Sequence, residues 1–240
     1  MNHKIQAVIF DMYETLVTQF SSPLYYGTQI ARDLGLEPEV FLPAWRSTEE
    51  DRATGRLTFE EVTESLMRQQ GIYTQQLYQR VVDKRLAIQA DCFAHLHPQI
   101  LPMLEALKEQ GIKIGLITNC FSEEAALIRS SELYPCFDAP CLSYELGMRK
   151  PDPVIFHRCL QMLGIPAGNC LYVGDGGSRE LEAARNFGMQ AVQATWYRQE
   201  KFEPYQAAIR PEFPQIPEPM ALLEWISTGK QEEIPCFRIK

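Results

Sequence analysis

A chain of 240 residues, 45% of them apolar, is long enough to bury a sizeable core, as one large domain or one domain plus an insertion. A net charge of −8 and a pI near 5.1 argue against general nucleic-acid affinity. No apolar run approaches the ~20 residues that cross a bilayer, and the leading MNHKIQAVIFD lacks a secretory pattern, so a soluble cytoplasmic protein is expected. The seven cysteines are odd in number and scattered, with no C-x-x-C pair. That spacing supports neither a zinc site nor a redox motif and predicts free thiols. Cys120, beside Asn119, is read as a small packed hydrophobe.

In chain order, Ile5 to Phe10 reads as a short buried parallel strand that ends at Asp11. From about Pro23 to Ala94 the apolar residues recur near a period of 3.6. Thr58-x-x-Glu61 has the form of a capping box ahead of Val62, Leu66 and Met67. Some seventy helical residues between two core strands are too many for a crossover and predict an insertion. The spacing divides the chain into an α/β core (1–17 and 96–240) and a helical unit (18–95).

Alternation then resumes. A helix is predicted over Ile100 to Gln110, stopped by Gly111, and a strand over Ile112 to Ile117 leads to Thr118 and Asn119. Ser122 is expected to cap a helix reaching Leu133, and Asp138 to Ser143 is expected as a short strand. Asp152-Pro153 has the chemistry of a helix start. Leu171 to Val173 is a strand opening into Gly174-Asp175-Gly176-Gly177, followed by a helix over Ser178 to Phe187 and a strand over Gln190 to Ala194. The proline-rich stretch from Pro204 to Pro219 is expected as a surface loop, and Met220 to Ile226 as a closing helix. Strands alternating with helices predict a doubly wound parallel sheet, Rossmann-like, in the order 3-2-1-4-5. That order sets Asp11, Thr118 and Asp175 around one crevice at the carboxyl ends of the central strands.

A carboxylate so placed can act as a nucleophile and form a covalent intermediate. Thr15, four residues on, is expected to bond an oxygen of Asp11 or of a substrate. Asp175 lies between glycines, so its backbone can turn and its side chain face Asp11. Two carboxylates brought together need a cation or proton between them, and Mg2+ suits such a pair. Lys150, in KPDP, would neutralise charge growing at Asp11, and Arg149 beside it is expected to face solvent. For Glu180 two readings stand level, a group behind the metal ligands or an acidic residue in a helix first turn.

The ordered set VIFDMYETLV, IKIGLITN, KPDP and CLYVGDGGSRE resembles the haloacid dehalogenase-like (HAD) hydrolase superfamily. The resemblance implies hydrolysis through an aspartyl intermediate on Asp11, with Tyr13, Thr15, Thr118, Asn119 and Lys150 in the catalytic set. It also implies that residues 18–95 form a cap over the site. Metal ligands implied are Asp11, Asp175 and the backbone carbonyl of Tyr13, holding Mg2+.

Tyr13 stands where most phosphatases of the superfamily carry a second aspartate, the acid and base of their reaction. A phenol with pKa near 10 donates a proton but is a poor base at neutral pH. The 2-haloacid dehalogenase branch carries tyrosine there, together with a Trp-Arg pair in its cap that Trp45-Arg46 resembles. Its arginine grips the substrate. Asp175, Gly177, Glu180, Phe156 and Glu14 depart from that branch. The favoured expectation is therefore a Mg2+-dependent phosphatase acting on a small phosphomonoester. The alternatives are a metal-independent 2-haloacid dehalogenase and a catalytically weak binding or regulatory protein. Arg52 and Arg56 are further candidates for the substrate pocket, with a solvated helix face the favoured reading for each, and Tyr25 and Tyr26 are candidates equally consistent with packing between cap and core. The expected partner is a small-molecule substrate, without nucleic acid or membrane, and no sequence pattern sets an oligomeric state.

Overall fold

The computed structural model describes residues 4–21 and 23–228. Its centre is a parallel sheet in the order β3-β2-β1-β4-β5-β6. The strands are β1 (Ala7–Phe10), β2 (Lys113–Thr118), β3 (Ala139–Leu142), β4 (Cys170–Gly174), β5 (Gln190–Ala194) and β6 (Gln215–Ile216). Phe10 pairs in register with Leu116 on one side and Val173 on the other, so three strand ends finish at one level. Every residue of β1 is buried, and successive side chains go to opposite faces. Val8 and Phe10 pack with α6 (Ile100–Glu109), α7 (Ser122–Ser130) and α11 (Ala221–Thr228). Ala7 and Ile9 pack with α9 (Pro153–Leu163), which follows the short α8 (Ser143–Leu146), and with α10 (Glu180–Asn186).

Between β1 and α6 run α1 (Gly27–Asp33), α2 (Pro38–Ser47), α3 (Glu49–Ala53), α4 (Phe59–Gln69) and α5 (Gln75–Ala94). Helices α1, α2, α4 and α5 enclose their own apolar cluster, including Ile30, Phe41, Trp45, Phe59, Met67 and Val81. Thr58 caps α4 as expected, accepting the Glu61 N–H at 3.1 Å while Glu61 accepts the Thr58 N–H at 2.8 Å. The helical run is tied to the sheet unit chiefly through α5. Arg85 donates to Glu123 at 2.9 Å and to Glu124 at 2.8 Å, both on α7, and all three side chains are buried. Across a second contact, Arg149 reaches Glu49 and Glu50 at 3.4 and 3.3 Å. Arg149 makes this bridge at the exposed surface.

Four local expectations are corrected. The proline-rich stretch supplies a sixth strand, because the Gln193 N–H finds Pro214 O at 2.8 Å and the Thr195 N–H finds Ile216 O at 2.9 Å. A short edge strand tolerates flanking prolines that a central strand would not. Ser122 does not cap α7. Its hydroxyl accepts the Phe59 N–H at 3.0 Å, while Glu124 takes the Phe121 N–H. The same helix ends at Ser130, short of the expected Leu133. Finally, α10 begins at Glu180, because the backbone is left-handed at Ser178 and Arg179 (φ 50° and 53°) and cannot carry a regular α-helix through them. The closing helix α11 is present, and Asp152 caps α9 by accepting the Val154 N–H at 2.9 Å. Six of the cysteines are free; Cys236 lies outside the described residues.

Candidate active site

The site is built where β1, β2 and β4 end. Asp11 follows β1 directly, and its N–H donates to Val173 O at 2.9 Å, which locks it against β4. Its side chain is buried, and its Oδ1 accepts from Lys150 Nζ at 2.5 Å. The same ammonium reaches Glu180 Oε2 at 2.5 Å and the Tyr172 hydroxyl at 3.3 Å. Tyr172 in turn donates to Glu180 Oε2 at 2.8 Å, and the Gly176 N–H donates to Glu180 Oε1 at 3.1 Å. Gly174 makes this arrangement possible, since a Cβ there would lie 2.1 Å from Glu180 Oε1. Glu180 thus stands in the first turn of α10 and is also fully buried, in a network with Lys150, which reaches Asp11.

Asp175 completes the cluster. One ligand oxygen from each of Asp11, Asp175 and Glu180 lies within 4.8 Å of the others. Burial first, then the neighbouring Asp11, pushes the Asp175 carboxyl up to about 6, against the Gly177 N–H it accepts at 2.7 Å. Glu180 is likewise pushed above the ordinary carboxyl range by burial and by Asp11, with Lys150 opposing. For Lys150, burial works against the charge, but Asp11 and Glu180 outweigh it and hold the ammonium above its ordinary pKa. These are carboxylates crowded beyond what one ammonium balances, the donor set that suits a hard divalent cation.

Asn119 holds the lysine segment in place. It accepts the Lys150 N–H at 2.7 Å and donates to Lys150 O at 3.0 Å, with a third contact of 3.3 Å to Ser178 Oγ. Thr118 is buried beside it, its hydroxyl 3.4 Å from Asn119 O. Thr15 does not bond Asp11: its hydroxyl is buried with no hydrogen-bond partner among the described residues, while its carbonyl accepts from Trp196 Nε1 at 2.7 Å.

The Tyr13 hydroxyl is likewise buried with no hydrogen-bond partner among the described residues, and its ring lies edge-on to Phe93 at 6.5 Å. Burial, then Glu124, raises its pKa well above 10, so it stays protonated at any working pH. Glu14, noted in the sequence only as a departure, adopts a left-handed backbone (φ 58°) and accepts from Thr18 Oγ1 at 2.6 Å and the Gln19 N–H at 2.8 Å. Burial carries its carboxyl up to about 7 despite those bonds, with Asp175 and Asp11 adding to the rise.

Trp45 and Arg46 sit elsewhere. Trp45 is buried between Phe41 and Phe59, and both residues line a cavity of about 240 Å³ that also meets Tyr25, Tyr26, Arg52 and Phe121 but not Asp11. Arg56 is not on it; that side chain pairs with Asp51 on the surface. Among the described residues no helix is long and apolar enough to cross a membrane.

Known proteins share this architecture and these segments. The first relative is the glyceraldehyde 3-phosphate phosphatase of Methanopyrus kandleri, 31% identical over 136 residues, 55% of this chain and 58% of that one. The chain thus spans little more than half of that relative's length. The (S)-2-haloacid dehalogenase of Pseudomonas fluorescens is 28% identical over 197 residues, 77% of this chain and 82% of that one. Among solved structures, a HAD family enzyme of Bacteroides thetaiotaomicron in a magnesium complex shares the fold, with a TM-score of 0.64 at 15% identity over 85% of this chain and all of its own. The family pattern of haloacid dehalogenase-like hydrolases matches residues 5–188, more than three quarters of the sequence, and the chain belongs to that hydrolase family.

Proposed function

We propose that the protein is a Mg2+-dependent phosphatase of small phosphomonoesters working through an aspartyl-phosphate on Asp11. The observation that carries this reading is the trio Asp11, Asp175 and Glu180, the first and last buried and Asp175 partly so, with oxygens within 4.8 Å. A third and second carboxylate beside a nucleophile would only blunt it unless a cation takes up their charge. Asp11, Asp175 and the Tyr13 carbonyl would hold Mg2+, which supplies Lewis-acid polarisation of the phosphoryl oxygens. The names of curated phosphatase relatives support the same substrate class.

The chain's own groups then have distinct tasks. The Asp11 carboxylate attacks phosphorus as the P–O ester bond breaks, the departing oxygen taking a proton from solvent; water then attacks phosphorus, the bond to Asp11 breaks and the water's proton passes to solvent, freeing Asp11 and phosphate. Lys150, held charged by Asp11 and Glu180, offsets the charge developing on the transferred group. Asn119 positions Lys150 through its backbone, and the Thr118 hydroxyl would bond a substrate oxygen. Tyr13, a phenol that burial pushes further above its ordinary pKa, is a poor base for activating water. Residues 18–95 serve as the cap, shielding the site from solvent while joined to the core through Arg85.

A second reading, a metal-independent 2-haloacid dehalogenase, is favoured by Tyr13 and by the longer match to the Pseudomonas fluorescens enzyme. A panel of phosphomonoesters, an activated aryl phosphate and 2-haloacids, each with Mg2+ and with EDTA, separates the two. Phosphate release that stops in EDTA supports the phosphatase. Halide release undiminished by EDTA, without phosphate release, installs the dehalogenase.

A further inference from the structure

Two adjacent acids stand in the first turn of α7, and packing buries both, with Glu123 3% and Glu124 4% exposed. Neighbouring carboxylates out of water repel unless a cation stands between them. That cation is Arg85, from the middle of α5 and itself buried. Its Nε donates to Glu123 Oε1 at 2.9 Å, its Nη2 to Glu124 Oε1 at 2.8 Å and its Nη1 to Tyr25 O at 3.1 Å, so all three nitrogens are used. Burial works against the guanidinium charge, but Glu124 and then Glu123 outweigh it. A planar fork serves two acids at a fixed spacing, which an ammonium does not.

The same acids hold the loop that carries Asn119. Between the end of β2 at Thr118 and the start of α7 at Ser122 lie only Asn119, Cys120 and Phe121. Ser143 fixes the middle of this loop, its hydroxyl accepting the Cys120 N–H at 2.9 Å and donating to Cys120 O at 3.2 Å. The far end is fixed by Glu124, whose Oε2 accepts the Phe121 N–H at 3.0 Å while its Oε1 takes Arg85. Asn119 then grips both backbone groups of Lys150, and Lys150 Nζ reaches Asp11 at 2.5 Å. A contiguous run of contacts therefore joins a helix of residues 18–95 to the ammonium beside Asp11.

We propose that Arg85 is a positioning residue for the reaction: by fixing Glu124 it sets the Asn119 loop, and through that loop the register of Lys150 with Asp11. This rests on the roles given to Asp11 and Lys150 above. Arg85 acts wholly through the loop, since its own partners are Glu123, Glu124 and Tyr25.

A double-mutant cycle on turnover of an activated aryl phosphate with Mg2+ tests it, each protein assayed well below its melting transition. Arg85→Lys keeps the charge but cannot fork to both acids. It should lower kcat about 10- to 100-fold, the cost of displacing a catalytic group by about 1 Å, while KM changes little. Lys150→Met removes the group that Arg85 positions, so in that background Arg85→Lys should lower kcat no further. An arginine with a merely structural role would instead give losses that multiply. Multiplying losses, an unchanged kcat in Arg85→Lys, or a loss confined to KM overturns the proposal. If Arg85→Lys fails to fold, Glu124→Gln takes its place under the same expectations, because an amide oxygen still accepts the Phe121 N–H while the bond to Arg85 loses its charge. Halide release without phosphate release strikes the phosphatase reading, and the same cycle read on halide then decides Arg85. Should neither product appear, the urea midpoints of the four proteins decide: additive shifts overturn the proposal and non-additive ones support it, since residues that share no network add.

Discussion

Lys150→Met probes the charge balance of the site most directly. The ammonium is 2% exposed and lies 2.5 Å from both Asp11 and Glu180. Methionine preserves most of its length and apolar packing but leaves three carboxyl groups with oxygens within 4.8 Å. At an effective dielectric near 20, each charged pair at that distance repels by about 3 kcal/mol. Removing one partner of a buried pair typically costs about 3–5 kcal/mol, unless the stranded acids protonate. Asp175, already near 6, and Glu180, already raised, should then titrate higher still. A carboxyl whose folded pKa exceeds its unfolded value lends full stability below the unfolded pKa and loses it as pH rises through the folded one. The deficit of Lys150→Met should therefore be small at pH 5 and grow toward pH 8, reaching about 6–20 °C in Tm for a chain of this size. Saturating Mg2+ should restore part of it by replacing the lost cation, while turnover stays down by about 10²–10³-fold. Thermal melts across pH with and without Mg2+, and initial rates on an aryl phosphate, supply the measurements. A melting temperature equal to the parent's at pH 8 in EDTA, or a loss independent of pH, would refute this account of the site.

Three further outcomes are expected. Asp11→Asn should remove nearly all turnover while leaving the fold intact, because an amide is a very poor nucleophile; a tenth of parental activity would rule out covalent catalysis there. Tyr13→Phe deletes a buried hydroxyl that has no partner, so thermal or urea unfolding should show a gain of about 1–3 kcal/mol, and a loss would mean the hydroxyl is bonded in solution. The unmodified protein in EDTA should lose stability as pH rises from about 4.5 to 8, since Asp175 (about 6), Glu14 (about 7) and Glu124 (about 7) all titrate above their unfolded values. Mg2+ should flatten that decline, and a stability that climbs over this window would contradict the assigned shifts.

Much of this protein follows from short-range pattern. The buried run before Asp11, the glycines around Asp175, the capping box at Thr58 and the Asp152-Pro153 helix start act within a few residues, so they are legible in the sequence. The alternation of strand and helix also fixes a parallel sheet, and with it the convergence of Asp11, Thr118 and Asp175. What only the tertiary structure decided is which side chains meet once distant segments pack. Glu180 was ambiguous because its partner Lys150 lies 30 residues away and Asp11 a further 139 from that lysine. Ser122 left its expected cap for the backbone of Phe59, 63 residues distant, and Gln215–Ile216 became a strand because β5 offered an open edge. Arg52 is the plainest case. On its own helix it reads as a surface charge, and only the packing of Trp45 and Phe121 on its two faces makes it a buried one. Charge and hydrogen-bond balance are sums over neighbours in space, and no local window of sequence contains those neighbours.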